Sequence, residues 1–235
     1  MKKLKKKMTF KEKTFELIGK DKLIFKNLCF YVDLIEENNR LFNLTSFTGD
    51  VLWRDGIYQS IVLLNESFKS TSSRKMLDIG AGVGFPSIPF LIYKRDFSLY
   101  ISESKHKRIV FLETVKDKLL LNITFIPIRI EDYKSDIKFD LITARAVTSL
   151  DKLIEISSQV GSINAEYSFL KGPKVFEEQE KAAWLIEELS LKPIISTVQL
   201  KLDNDTEQTH YLFKYKKIKN TPFGYPRIWA LINSN

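Results

Sequence analysis

Phe25, Leu28, Val32 and Ile35 recur at intervals of three, four and three. That spacing lines one face of a helix and predicts an amphipathic helix over 22–38. Val51, Leu52, Ile57, Ile61 and Leu64 supply the apolar positions of a second helix over 50–66. Residues 1–66 therefore read as a helical extension, and the serine-rich stretch 67–73 reads as a linker. After it, short apolar runs alternate with longer amphipathic ones. Strands are predicted at 75–79, 98–102, 124–128, 139–144 and 165–170, and helices at 85–93, 105–120, 149–159 and 175–189. This alternation is that of a mostly parallel sheet covered by helices. Two further strands, near 194–202 and 210–217, are separated by DNDTEQT and suit an antiparallel hairpin on the sheet edge. The expectation is an α/β chain with a seven-stranded sheet over 67–235 and a basic helical extension over 1–66.

Composition narrows the partners. With 44% hydrophobic and 28% charged residues in 235, the chain is a folded globular one. A single cysteine excludes an internal disulfide and a multi-cysteine metal site, and no metal centre is expected. Cys29 lies beside the first helix's apolar face, where a small buried hydrophobe is the simpler reading than a nucleophile. No apolar run reaches the length of a membrane span, and the first residues lack the apolar stretch and cleavage site of a signal peptide. A cytoplasmic location is expected. The formal charge of +8 favours an acidic partner, and seven lysines fall in the first thirteen residues. Lys2, Lys3, Lys5, Lys6 and Lys7 are candidates to grip RNA phosphates, with a solubilising arm as the alternative.

The sharpest local signal is MLDIGAGVGFPSIP, from Met76 to Pro89. Gly80, Gly82 and Gly84 follow an apolar strand and precede a helix, where glycine permits a tight turn and close backbone approach to a ligand. The spacing departs from GxGxxG, the loop shaped around a dinucleotide's pyrophosphate. S-adenosylmethionine has no phosphate, and Asp78 with the glycine amides suits its ammonium, carboxylate and sugar edge. Dinucleotide binding and a ligand-free structural turn are the alternatives.

Glu103 stands 23 residues after Gly80 at the end of the second strand, placed to accept hydrogen bonds from both ribose hydroxyls. Lys105, Lys107 and Arg108 face either RNA or solvent, and His106 has no evident partner. Ile130 and Glu131 enter a loop where the first suits contact with adenine and the second its anchoring. Arg145 and Lys171 end the fourth and fifth strands, on the edge where open α/β sheets collect ligands. Trp53, Tyr58 and Trp229 are candidates for base stacking, although packing is the commoner use of such residues.

Taken in order, NRLFNLTS at 39–46, LDIGAGVGFPSIP at 77–89, ESKHKRIVFL at 103–112, RIED at 129–132, TARA at 143–146, LKG at 170–172 and TPFGYPR at 221–227 are similar to one family. The sequence resembles, over about residues 20–227, the RsmG family, also called the glucose-inhibited division protein B family. These are bacterial methyltransferases for guanine N7 in the 530 loop of small-subunit ribosomal RNA. The resemblance implies a Rossmann-like class I methyltransferase fold with S-adenosyl-L-methionine as donor. It implies donor binding by Gly80 and Phe85, adenosine contacts from Glu103, Ile130 and Glu131, and a donor- or RNA-facing role for Arg145. Asn43 and Lys171 become residues of the pocket edge that meet the RNA, and Tyr225, Pro226 and Arg227 one rim of the cleft. The implied partner is small-subunit ribosomal RNA or its particle, met by a monomer, with no membrane involved.

Two departures from the family's pattern bear on activity. A stretch resembling HxxDS is represented by GIYQS, with Gly56 and Gln59 in place of His and Asp, and Ser87 stands where a second GFPG glycine is usual. An active enzyme is expected, with a noncatalytic RNA-binding or ribosome-assembly protein as the alternative.

Overall fold

Thr9 opens the first helix: its side chain accepts from the Glu12 amide while the Glu12 carboxylate accepts from the Thr9 amide. This reciprocal cap satisfies donors that a helix start leaves unpaired. The computed structural model describes residues 8–202 and 206–233. The five lysines named above as phosphate contacts, Lys2 to Lys7, lie outside the described residues.

Helix α1 spans Phe10–Leu17 and α2 Lys22–Phe42. Asp21 caps α2 by accepting from the Leu23 and Ile24 amides, and Asn43 ends it in the left-handed region at φ 48°. Asparagine tolerates that region, so the helix runs about one turn beyond the predicted 22–38.

The predicted helix over 50–66 is three pieces: α3 (Gly49–Val51), a π-helical segment (Leu52–Tyr58) and α4 (Gln59–Ser67). Leu52 and Ile57 are five residues apart, a π-type spacing. The wider turn lets Leu52, Ile57, Ile61 and Leu64 all face the core, none more than 1% exposed. The stretch 67–73 is tied down rather than loose. Phe68 and Thr71 are buried, and the Thr71 hydroxyl donates to Asp96 at 2.6 Å.

Among the described residues, seven strands form one sheet in the order β3-β2-β1-β4-β5-β7-β6. They are β1 (Lys75–Ile79), β2 (Ser98–Ser102), β3 (Ile123–Ile126), β4 (Phe139–Arg145), β5 (Gly161–Lys171), β6 (Ile194–Lys201) and β7 (Glu207–Lys216). The first five run parallel, while β7 is antiparallel to both β5 and β6. The predicted sheet and its hairpin are therefore present. β3 stops at Ile126, two residues short of the predicted end, and the Ile128 carbonyl accepts instead from the Ser102 hydroxyl. β5 starts earlier than predicted, at Gly161, and carries a register irregularity opposite Phe139 and Leu141 before its regular pairing from Glu166.

The covering helices are α5 (Ser87–Lys94), α6 (His106–Leu119), α7 (Leu150–Ser157), α8 (Val175–Lys181), α9 (Ala183–Glu188) and α10 (Trp229–Asn233). The predicted helix over 175–189 breaks at Ala182, whose ψ of −1° interrupts the helical course. The short α10 carries too few periodic positions to be seen from sequence.

One sheet face packs against α2, α4, α5 and α6 through Leu28, Ile35, Ile61, Phe90 and Leu112; the other packs against α7, α8 and α9 through Leu153, Ile154, Val175 and Leu185. No helix among the described residues is long and apolar enough to cross a membrane. Strand order reverses between β1 and β4, so the loops leaving their carboxyl ends diverge and open a crevice.

Candidate active site

The glycine loop leaves β1 at this crevice. Gly80 has φ 67°, and a Cβ there would stand 2.9 Å from the Val147 side chain, so both backbone and space require glycine. A cavity of about 440 Å³ lies outside the loop, lined among others by Gly80, Glu103, Ile130, Glu131, Ala146 and Trp229. Ile130 and Glu131 sit on a 3₁₀ turn, Ile130–Asp132, where sequence had predicted only a loop. Glu103 is buried at the end of β2 and accepts from the Gly82 amide at 3.2 Å, the Lys105 amide at 2.9 Å and Arg108 at 3.1 Å. Arg108 therefore pairs with this carboxylate, an alternative to its reading as an RNA contact.

These residues fit S-adenosylmethionine. The buried Glu131 Oε1 has no hydrogen-bond partner, since Arg129 stays 3.7 Å away, and it is an acceptor free for an adenine amine. The two Glu103 oxygens retain acceptor capacity for a ribose diol. Ile130 gives an apolar wall, and Trp229, with Arg129 stacked 4.9 Å from its ring centroid, gives another.

Asp78, Gly82, Gly84 and Phe85 do not line this cavity. Asp78 is fully buried and accepts from the Ser87 hydroxyl at 2.5 Å, while its Oδ1 has no partner. Burial pushes its carboxyl up to about 7, against the hydrogen bonds from Ser87 and the charge of Arg145 and with that of Glu103. Ser87, a departure from the family's pattern, is thus the hydroxyl that anchors Asp78. Gly84 carries φ 107° beside Ile88 and the Tyr31 hydroxyl, a packing position. Phe85 is 6% exposed, edge-on to Tyr31, and lies beneath Arg145.

Arg145, next to the Ala146 that both cavities share, lines a second cavity. Its guanidinium sits 5.7 Å from the Phe47 ring centroid and 5.4 Å from that of Phe85. Its Nη1 donates to the Asp55 carbonyl at 2.8 Å and to Gln59 Oε1 at 3.3 Å. Burial lowers its pKa, opposed by the nearby Asp78 and Asp55 charges. The π segment makes the first contact available. The Gln59 amide bonds to Arg54, five residues back, so it does not occupy the Asp55 carbonyl.

The second cavity, about 250 Å³, is lined by Gln59, Arg145, Lys171, Glu178, His210 and Tyr211, among others, and shares Ala146 with the first. Lys171 Nζ lies 2.5 Å from Glu178 Oε2 and donates to the Thr148 carbonyl at 3.0 Å. Glu178 Oε2 also accepts from the Leu150 amide. Of the three residues grouped at the substrate side from sequence, Arg145 and Lys171 are brought together. Asn43, the exposed end of α2, lines neither cavity.

Gly56 has a steric reason here: a Cβ at this position would fall 2.7 Å from Phe85 Cζ and 2.9 Å from Leu52 Cδ1. Gln59, the other departure, holds both Arg145 and His210. His210, Glu178 and Phe47 were not legible as site residues. His210 is one polar position of β7, paired with Val198 of β6, and only the sheet order that sets β7 beside β5 brings it to Gln59.

Elsewhere, Trp53 is buried, with Phe25 at 5.9 Å between ring centroids, and Tyr58 packs edge-on to Phe10. Cys29 is half-buried against the core and His106 is exposed. Arg227 grips the buried Glu155 with two 2.7 Å hydrogen bonds, which fixes the segment leading to Trp229.

The sequence matches the family described as GidB, rRNA small subunit methyltransferase G, over residues 24–204. A protein named ribosomal RNA small subunit methyltransferase G from Mycoplasmopsis pulmonis is 42% identical over 206 residues, spanning 86% of this chain and 88% of its own. Its namesake from Clostridium beijerinckii is 34% identical over 212 residues, 87% of each chain. Among solved structures, the fold is similar to the N-methyltransferase NodS from Bradyrhizobium japonicum in complex with S-adenosyl-L-homocysteine. That likeness has a TM-score of 0.54 at 14% identity and covers 80% of this chain and 98% of the other. It is also similar to precorrin-6y C5,15-methyltransferase from Geobacter metallireducens, with a TM-score of 0.52 at 14% identity over 67% and 87% of the two chains. With the glycine loop, the acidic residue ending β2 and the arginine ending β4 all carried by the matched region, the chain belongs to the GidB family of rRNA small subunit methyltransferase G.

Proposed function

We propose that the chain transfers the methyl group of S-adenosylmethionine to guanine N7 in the 530 loop of small-subunit ribosomal RNA. The observation that carries this reading is the pair of cavities meeting at Ala146. One offers acceptors and apolar walls suited to a nucleoside, and the other opens beside Arg145 and Lys171.

S-adenosylmethionine supplies the electrophilic methyl group. The work of the chain is placement. Glu103 accepts from the ribose hydroxyls, Glu131 Oε1 accepts from the adenine amine, and Ile130 and Trp229 exclude water around the ring. Asp78 anchors the loop through Ser87 rather than lining the cavity. Guanine N7 carries an in-plane lone pair and no proton, so the reaction asks no general base of the protein. Alignment of two bound reactants alone is worth about 7–11 kcal/mol in favourable cases. Arg145 stands at the junction of the cavities and orients the reacting groups.

In this reading residues 67–235 carry donor binding, and the extension 1–66 closes the substrate side through Asp55 and Gln59. The enzyme works in the cytoplasm as a monomer, on small-subunit RNA or its particle. Purified protein incubated with methyl-labelled donor and small subunits lacking base methylation should place label on guanine N7 of the 530 loop, mapped by digestion and mass spectrometry. Donor and RNA binding without transfer would favour an assembly protein that retains the fold.

A further inference from the structure

The 250 Å³ cavity beside Arg145 contains a histidine whose protonation state is dictated by its neighbours. Arginine only donates hydrogen bonds, so the Gln59 atom facing Arg145 Nη1 at 3.3 Å is its carbonyl oxygen. The amide orientation is thereby fixed, and Gln59 presents its NH₂ to His210 Nε2 at 3.1 Å. A donor there requires His210 Nε2 to accept, which puts the ring proton on Nδ1. An imidazolium would oppose two donors across the same contact.

We propose that the target base sits in this cavity and that His210 contacts it as a neutral imidazole, locked in its Nδ1–H tautomer by the Arg145–Gln59 chain. The inference rests on the proposed methyl transfer and names a base-binding residue for it. The cavity suits a guanine in other respects. Glu178 is an acceptor for a base's N–H edge and Lys171 a donor for its carbonyl. N7 methylation leaves a positive charge on the purine, and a neutral ring beside it adds no repulsion where Arg145 and Lys171 already supply two cations. The charged groups around His210 come from every side: Asp55 from the π segment, Arg145 from β4, and Lys171 and Glu178 from β5 and α8, with Tyr211 next to it in β7. Burial lowers the imidazole's pKa, Asp55 opposes that shift and Arg145 adds to it.

The chain has two histidines, and the other, His106, is exposed, so ring resonances are assigned with one variant, His106→Gln. Long-range proton–nitrogen NMR of the full chain should show His210 with a bare Nε2 and a protonated Nδ1 at neutral pH. In Gln59→Glu the carboxylate accepts instead, and His210 should acquire an Nε2 proton at neutral pH. With ribosomal substrate, His210→Ala should raise KM for RNA at least tenfold and leave donor affinity within about twofold, and His210→Gln should recover most of that loss. Gln59→Glu should move the acid limb of kcat/KM toward neutral pH. An Nε2–H tautomer in the wild type, or an unchanged RNA KM in a folded His210→Ala, overturns the assignment. Absence of any transfer by the wild type would instead sink the function it rests on, whereas the tautomer is read without turnover.

Discussion

The Arg145 guanidinium donates to the Asp55 backbone carbonyl across 2.8 Å, joining the end of β4 to the π-helical turn at Leu52–Tyr58. Lysine in place of Arg145 keeps a charge but has no planar fork to hold Asp55 and Gln59 together while resting against the stacked Phe47 and Phe85 rings. A hydrogen bond from a charged donor contributes about 1.5–3 kcal/mol. Arg145→Lys should therefore slow methyl transfer by roughly 10- to 100-fold, with donor affinity within about twofold of the wild type. Single-turnover rates at saturating donor and RNA check this, and a wild-type rate would remove Arg145 from the junction.

Gly56 underlies Phe85, and Phe85 underlies Arg145. A methyl group at Gly56 would overlap the Phe85 ring unless it moves, and such overpacking costs about 1–3 kcal/mol. At roughly 2–4 °C per kcal/mol for a chain of this size, Gly56→Ala should melt several degrees lower. It should also reduce turnover, because the displaced ring is the floor of the arginine site. Thermal melts and turnover measured together check both effects, and an unshifted Tm would mean the ring moves freely.

Most of the frame was legible because it is written in local periods: the apolar runs of β1, β2 and β4 end where the structure ends them, give or take a residue. The first cavity's lining was also legible, since Gly80 and Glu103 directly follow strands β1 and β2 and Ile130 and Glu131 lie in the segment after β3. The second cavity was only half visible. Lys171 and Arg145 end strands, but Gln59 reaches them through a π turn that helical spacing does not anticipate, and His210 through an antiparallel pairing set by sheet order. Within the glycine loop's motif, Gly80 lines the first cavity, while Asp78 and Phe85 are buried and lie outside its lining.

Asp78 should make ligand-free stability depend on pH. Its folded pKa, raised to about 7, lies above that of the unfolded chain, so its contribution is complete below the ordinary carboxylate range and is lost as pH rises through about 7. Asparagine keeps an acceptor for Ser87 and does not titrate. The stability of Asp78→Asn relative to wild type should thus improve by ~3 kcal/mol between pH 4.5 and 8, or roughly 6–12 °C in Tm. Parallel Tm profiles for the two proteins would show that Asp78 remains ionised in the fold.

Glu103 has two jobs whose loss can be separated. It organises the loop by accepting from the Gly82 and Lys105 amides, and it offers the remaining acceptor capacity to a ribose. Glu103→Gln retains one acceptor and the side-chain volume but turns a donor toward one of those amides. Glu103→Ala removes both functions. At about 1.5–3 kcal/mol for a hydrogen bond to a charged acceptor, donor Kd should rise roughly 10- to 100-fold in the alanine variant, and less in the glutamine variant. Arg108→Ala is the control, since it removes only the salt bridge at 3.1 Å and leaves both amide contacts in place. Calorimetric titration with S-adenosylhomocysteine across the three variants discriminates the roles. If Arg108→Ala weakens binding as much as Glu103→Ala, the carboxylate acts through its ion pair and the ribose contact is wrong; if only the Glu103 variants weaken it, the acidic end of β2 holds the nucleoside directly.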